Sequence, residues 1–331
     1  MPTRILDASH PEAVAEAAQI INRGGLVAFP TETVYGLGAD ACNPIAVARI
    51  FEVKRRPAFD PIIVHVGDPE SALLYGDCAG ELAKALIHSF WPGPLTLVVP
   101  KTDLVPPVVT AGLDTVAIRM PANPVALKLI RACGRAIAAP SANPFGYVSP
   151  TEASHVAGQL TGVDLILDGG RCAVGVESTI LSLAGLTPCV LRSGGVPPEE
   201  LERVTGPLAW STGSAARPDS PGQLARHYAT RTPLQITDGP RSTDVPSPDS
   251  RIGLLTLLPP TDSGRYAAVE VLSVTGDLRE AAANLFAALR RLDALGLDRL
   301  EARRVPEAGL GIAIMDRLRR CAKPEGAEST T

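Results

Sequence analysis

Apolar positions recur at helical spacing in the first strongly patterned stretch, "HPEAVAEAAQIINRGG". Val14, Ala17, Ala18 and Ile21 fall on one face, Pro11 sits in the first turn, and Gly24 and Gly25 stop the helix. The period then changes. "LVAF", Leu26–Phe29, is a short unbroken apolar run and reads as a buried strand. Similar runs occupy Ile62–Val66, Leu95–Val99, Val116–Met120, Ala136–Ala139, Leu165–Leu167, Thr179–Leu183 and Cys189–Leu191. Helical patterns such as "NPIAVARIFEVKRR", "GELAKALIHSFW" and "NPVALKLIRACG" lie between several of them. The alternation predicts an α/β domain over residues 8–205 with a mixed sheet flanked by helices.

Near Gly206 the texture changes. "TGPLAWSTGSAARPDSPGQLARHYAT" is rich in Gly, Pro, Ser and Thr and holds no sustained period, so residues 206–232 read as a linker. Strand patterns return at Leu234–Thr237, Arg251–Leu258, Val269–Leu272 and "LDRLEARRV", with the helical "GDLREAAANLFAALRRLDALG" and "GLGIAIMDRLRRCA" among them. Residues 233–322 are therefore expected to form a smaller, doubly wound α/β domain, followed by a frayed tail over 323–331.

Composition narrows the classes. The chain has 331 residues, 45% hydrophobic and 20% charged, which allows two sizeable cores and disfavours general disorder. A net charge of −4 disfavours a coat for nucleic acid, though not a local basic groove. The six cysteines are scattered without a C-x-x-C pair, so reduced thiols in a cytoplasm fit better than a disulfide framework or zinc site. No apolar run reaches membrane-spanning length and no secretory segment follows Met1, so the expectation is a soluble cytoplasmic protein.

Five polar clusters could carry chemistry. "PTETVYGLGAD" follows the strand Leu26–Phe29, at the kind of strand end where open α/β sheets bind ligands, and Gly36 and Gly38 suit a tight turn there. An ordinary strand-to-helix turn would look the same. Lys54, Arg55 and Arg56 end a helix, where cations are favourable in any case. His65 lies in an apolar strand, a common place for a core histidine. Arg119 lies in the apolar "TVAIRM", where an unpaired guanidinium is costly, so it needs an internal carboxylate or a ligand anion. "IAAPSANPFGYVSPT" offers Ser141 and Asn143 as short donors, and Ser149 or Thr151 is expected to cap the next helix. "GVESTILSL" and "CVLRSGGV" add Ser178, Thr179 and Arg192. No phosphate loop, G-x-G-x-x-G fingerprint or H-E-x-x-H pattern occurs, so a bound nucleotide would rely on scattered Lys, Arg, Ser and Asn.

"FPTETVYGLGADA", "KRRPAFDPIIVHV", "AIRMP", "PSANPFGYVSPT", "GVESTIL" and "LRSGGV" stand in the order seen in the YrdC-like domain of threonylcarbamoyl-AMP synthases, and "SPGQLARHYA" resembles the linker of that family's two-domain form. The resemblance implies a nucleotidyltransferase that joins L-threonine, bicarbonate or CO2, and ATP into threonylcarbamoyl-AMP and pyrophosphate. A separate transferase complex would pass the group to tRNA beside the anticodon. By the same resemblance Thr33, His65, Arg119, the Ala139 backbone and Ser178 would hold threonine. Arg56, Asp60, Thr115, Ser141, Ser149 and Arg192 would hold the nucleotide, and Lys54, Arg56, Ser141 and Asn143 form the polar tetrad associated with activity. Mg2+ is expected on the ATP phosphates. His227 and Tyr228 suggest a linker that folds over the pocket as a lid and reaches the nucleotide.

Asp60 stands where the family often carries Asn, and needs a cation. Arg55, where the family often has glycine, is its expected partner, with Arg56 the alternative. Two rival readings are a related carbamoyl-adenylate enzyme of the hydrogenase-maturation type and a double-stranded RNA-binding module. The first rival lacks its zinc-finger cysteine pairs here. The acidity and missing aromatic stacking motifs weigh against the second and against direct tRNA binding.

Overall fold

The computed structural model describes residues 3–211, 220–222, 227–239 and 250–322. Two compact units emerge: Met1–Phe145, Ser149–Ala173 and Glu177–Leu224 form the first, and Gly146–Val148, Val174–Val176 and Ala225–Thr331 the second. The expected tail, and residues 212–219 and 223–226 of the expected lid, lie outside the described residues.

Eleven strands build the sheet of the first unit: β1 (Arg4–Asp7), β2 (Val27–Phe29), β3 (Gly36–Asp40), β4 (Val64–His65), β5 (Leu95–Pro100), β6 (Thr115–Arg119), β7 (Ile137–Ala138), β8 (Leu165–Asp168), β9 (Thr179–Ser182), β10 (Cys189–Arg192) and β11 (Ala209–Trp210). Their order is β1-β8-β2-β3-β7-β4-β6-β5-β9-β10-β11, with parallel and antiparallel neighbours mixed. The second unit holds a four-stranded parallel sheet of β12 (Leu234–Thr237), β13 (Ile252–Thr256), β14 (Ala268–Val271) and β15 (Arg299–Arg303), in the order β12-β15-β13-β14. Helices Leu278–Asp293 and Leu310–Cys321 accompany it.

The two faces of the large sheet differ, and the difference locates the site. Alternate side chains divide between them. Val64, Ile118, Leu97 and Leu181 belong to the main core, with Ala46, Val47 and Ile50 of helix Pro44–Lys54. On the opposite face Val27, Phe29, Leu165 and Ile137 meet Ala17 and Ile21 of helix Ala13–Asn22 and Leu129 and Ile130 of helix Pro124–Cys133. Further along this second face, on β6, β5 and β9, the apolar layer shrinks to Ile63, Val98, Ala117 and Ile180, with Leu191 packed against them. None of these five lies in a helix. Polar side chains surround this small floor.

Three expectations are corrected. "GLGAD" is an antiparallel strand, β3, rather than a turn. A Cβ on Gly38 would lie 2.7 Å from the Phe29 ring and 2.8 Å from Ile137, so this glycine makes room for packing rather than bending the chain. Short β1 and β11 carry too few apolar residues to show a strand period, and pairing with β8 and β10 creates them. Helix Ala153–Ala157 starts after Glu152 without a side-chain cap, and Thr151 meets His155 instead, its N–H donating to Nδ1 at 3.3 Å.

Gly194 lies against the backbone that leads into β9. A Cβ there would sit 2.3 Å from the Glu177 carbonyl oxygen and 2.4 Å from the Thr179 nitrogen. Backbone cannot rotate away as a side chain can. Gly194→Ala is expected to destabilise the protein by about 1–3 kcal/mol, seen as a lower urea midpoint; an unchanged midpoint would show that the loop yields freely.

Candidate active site

Strand β6 carries the site along its length. Thr115, Ala117 and Arg119 point to the same face, with Thr115 at one end and Arg119 at the other, roughly 13 Å apart at strand rise. Beside it in parallel register runs β4, pairing His65 with Arg119. Polar groups gather at both ends of the apolar floor.

At the Arg119 end the guanidinium is 3% exposed. Its Nε donates to the Gly93 carbonyl at 3.1 Å, Nη1 to Thr33 Oγ1 at 3.0 Å and Nη2 to Glu32 Oε1 at 2.6 Å, the last an ion pair. The internal carboxylate demanded by burial is therefore Glu32, from the middle of the opening motif. Its other oxygen, Oε2, is buried without a hydrogen bond. Thr33 also shares a 2.8 Å bond with Thr31. His65 is buried against the edge of Phe29, with ring centroids 6.3 Å apart. Burial first, and the Arg119 charge second, push its pKa down to about 3, so the imidazole is neutral. Ser178 Oγ bonds Thr96 Oγ1 at 2.7 Å, and Arg192 grips the Ser178 carbonyl through Nε and Nη2. Ala139 adjoins the floor through its N–H to the Ile63 carbonyl at 3.0 Å.

The other group is cationic. Lys54 is 1% exposed, and its ammonium donates to the carbonyls of Ser141 and Asn143. Burial, then the charge of Arg56, hold the Lys54 pKa well below the ordinary lysine value. Arg56 donates from Nε to the Asp60 carbonyl and from Nη2 to the Pro61 carbonyl, and its Nη2 lies 3.0 Å from Asp60 Oδ2. That contact is an ion pair without in-line hydrogen-bond geometry, since neither Asp60 oxygen accepts a hydrogen bond. Burial raises the Asp60 pKa, opposed by Arg56, Lys54 and Arg192. The partner of Asp60 is thus Arg56. The expected compensator Arg55 is exposed, with left-handed backbone at the helix end.

Ser149, expected on the nucleotide, is fully buried and donates to Glu177 Oε1 at 2.5 Å. Of the linker, Ser220, Pro221 and Gly222 are buried, and Arg192 Nη1 donates to the Pro221 carbonyl at 3.2 Å. His227 and Tyr228 belong to the second unit, where Tyr228 stacks on Phe286 and Arg317 lies 5.0 Å over its ring. Glu32 and Glu177 escaped the sequence reading. Each stands beside a chosen residue in a quoted motif, and a buried cation or hydroxyl in need of an acceptor is the signal that points to them.

An α/β domain that buries one arginine among carboxylate and hydroxyl acceptors, and a second cationic group at the end of helix Pro44–Lys54, can meet two anionic groups, as a nucleotidyltransferase that joins a small anionic substrate to a nucleotide must. A family model described as telomere recombination, covering Sua5, YciO and YrdC, matches residues 19–194, and one described as the threonylcarbamoyl-AMP synthase C-terminal domain matches residues 196–323. The chain belongs to the threonylcarbamoyl-AMP synthase family, in its two-domain form. It is 45% identical to the threonylcarbamoyl-AMP synthase of Pyrococcus abyssi over 92% of this chain and 93% of the relative. Identity to the Bacillus subtilis enzyme of that name is also 45%, over 93% and 92%. A crystal structure of P. abyssi Sua5 complexed with L-threonine superposes with a TM-score of 0.89 at 41% identity, covering 97% of this chain and 98% of that one.

A depressed histidine pKa has a definite sign in stability. The unfolded imidazole takes up a proton near pH 6.5, while folded His65 resists it until about pH 3. Stability is fully present above the unfolded pKa and is lost as pH falls through that interval. His65→Gln is expected to flatten the pH dependence of urea unfolding across it, and a slope equal to wild type would overturn the neutral, buried assignment.

Proposed function

We propose that this protein condenses L-threonine, bicarbonate or CO2, and ATP into threonylcarbamoyl-AMP and pyrophosphate, supplying the activated group that a tRNA threonylcarbamoyl transferase complex places beside the anticodon. The observation that carries the reading is the pairing of two unlike polar groups across one apolar floor: Arg119 with Thr33, His65 and Ser178 at one end, Lys54 with Arg56, Ser141 and Asn143 at the other.

In the proposed reaction, threonine binds at the Arg119 end. Two of the five N–H donors of that guanidinium remain without a partner among the described residues, enough for a carboxylate. His65 contributes as a neutral group. The threonine nitrogen is first taken up as a carbamate, an oxygen of that carbamate attacks the α-phosphate of ATP, and pyrophosphate leaves as the α–β phosphoanhydride bond breaks. Negative charge grows on phosphate oxygens through this step, and fixed cations answer it without reorganising. Lys54 and Arg56 fill that role, with Ser141 and Asn143 as neutral donors and Thr115 and Arg192 completing the nucleotide contacts; Ser149 acts behind them through Glu177. Asp60 holds Arg56 in place. Mg2+ would sit chiefly on ATP oxygens, since magnesium sites keep few protein ligands. Among the described residues no cluster of three ligating side chains gathers, and Asp60 is the carboxylate the cationic end offers. Magnesium held there would neutralise phosphate charge.

Pyrophosphate release from ATP and bicarbonate is expected to depend on L-threonine, and release independent of it would refute the substrate assignment. Arg119→Ala should weaken threonine binding by about 2–5 kcal/mol in calorimetry, while wild-type affinity in a folded variant would make Arg119 structural. Lys54→Ala should slow adenylate formation by about 10²–10³ while leaving threonine affinity close to wild type; unchanged turnover would remove Lys54 from the phosphate side.

A further inference from the structure

Glu32 presents an acceptor that nothing in its surroundings uses. Its residue is 9% exposed, and Oε1 takes the 2.6 Å bond from Arg119. Oε2 is buried and accepts no hydrogen bond. Buried carboxylate oxygens are almost always satisfied, because leaving one without a donor costs part of its hydration. The neighbours cannot easily supply the missing proton. Thr31 Oγ1 bonds the Val34 carbonyl and Thr33, and Arg119 holds Thr33 Oγ1 from the other side.

Two unmet needs therefore meet at one point of the sheet: an oxygen lacking a donor on Glu32, and N–H groups lacking an acceptor on Arg119. An α-amino acid in its ordinary ionic form carries the complement of both within a few bonds. Its carboxylate suits the guanidinium, and its ammonium suits the carboxylate.

We propose that Glu32 is a binding residue that receives the ammonium of the amino-acid substrate through Oε2 while Oε1 keeps Arg119 oriented. This deepens the reading of the Arg119 end as the threonine site and rests on it. The site then reads a zwitterion, not merely an anion, and it sets the substrate nitrogen at a fixed place. An acid of the same shape without nitrogen would leave Oε2 unsatisfied and bind poorly.

The test is calorimetric titration of the full chain with L-threonine and with 3-hydroxybutanoate, which keeps the carboxylate and hydroxyl and lacks the ammonium. Wild type is expected to prefer L-threonine by at least tenfold. Glu32→Gln keeps a carbonyl oxygen for Arg119 but places an N–H2 where Oε2 stood, so it should lose tenfold or more in affinity for L-threonine and change less than twofold for 3-hydroxybutanoate. Equal losses for both ligands, or no loss, would make Glu32 only the structural partner of Arg119 and overturn the proposal. Should Glu32→Gln not fold, wild type decides alone: equal affinity for the two ligands overturns the proposal. Threonine-dependent pyrophosphate release alongside either negative result would leave the functional reading standing, whereas wild type that binds ATP but neither small ligand would remove both.

Discussion

Buried charge is the constraint on which the first unit turns. Lys54, Arg56 and Arg119 are each less than a tenth exposed, and none could remain ionised there without acceptors. The acceptors come from distant parts of the chain. Carbonyls of Ser141 and Asn143 serve Lys54, Asp60 and two backbone carbonyls serve Arg56, and Glu32, Thr33 and Gly93 serve Arg119. Several strand ends and loops are thereby tied to one another by strong, directional bonds. The fold is stabilised less by these pairs than by the large core on the other face, because desolvating a charge cancels much of what its partner returns. What the pairs supply is position.

That position makes a site because the sheet is asymmetric. Along β8, β2, β3 and β7 the second face is sealed by Ala17, Ile21, Leu129 and Ile130 of two helices. Along β6, β5 and β9 it keeps only the floor of Ile63, Val98, Ala117 and Ile180. A flat apolar floor with polar groups at both ends suits a ligand that is charged at its ends, and the alternation along β6 sets the spacing: Thr115 and Arg119 share a face because they are four residues apart. A one-residue slip would turn Arg119 into the main core. The small residues serve the same geometry. Gly38 lets Phe29 lie close to β3, and Phe29 in turn stands edge-on to His65.

Much of this was legible before any coordinate. The unbroken apolar runs located β2, β5, β6, β8, β9 and β10 to within a residue or two, since a strand buried on both faces has few ways to be written. The second unit's four strands were equally plain. Strand β3 was not, because "GLGAD" has the composition of a turn, and only its neighbours β2 and β7 hold it extended. The expected pairing of Asp60 with Arg55 failed for a local reason: the left-handed residue that ends helix Pro44–Lys54 turns Arg55 to solvent and Arg56 inward.

The sequence by itself determined the family, the two α/β units, the mixed character of the large sheet and the need of Arg119 for an anion, because periodicity and buried charge are local properties that composition and spacing record. Which anion answers Arg119 was decided only in three dimensions. Glu32 and Arg119 are separated by 87 positions; strand order, not sequence distance, brings them to a 2.6 Å contact. The same holds for the oxygen of Glu32 left without a donor, since an unsatisfied acceptor is visible only once every neighbour has been placed.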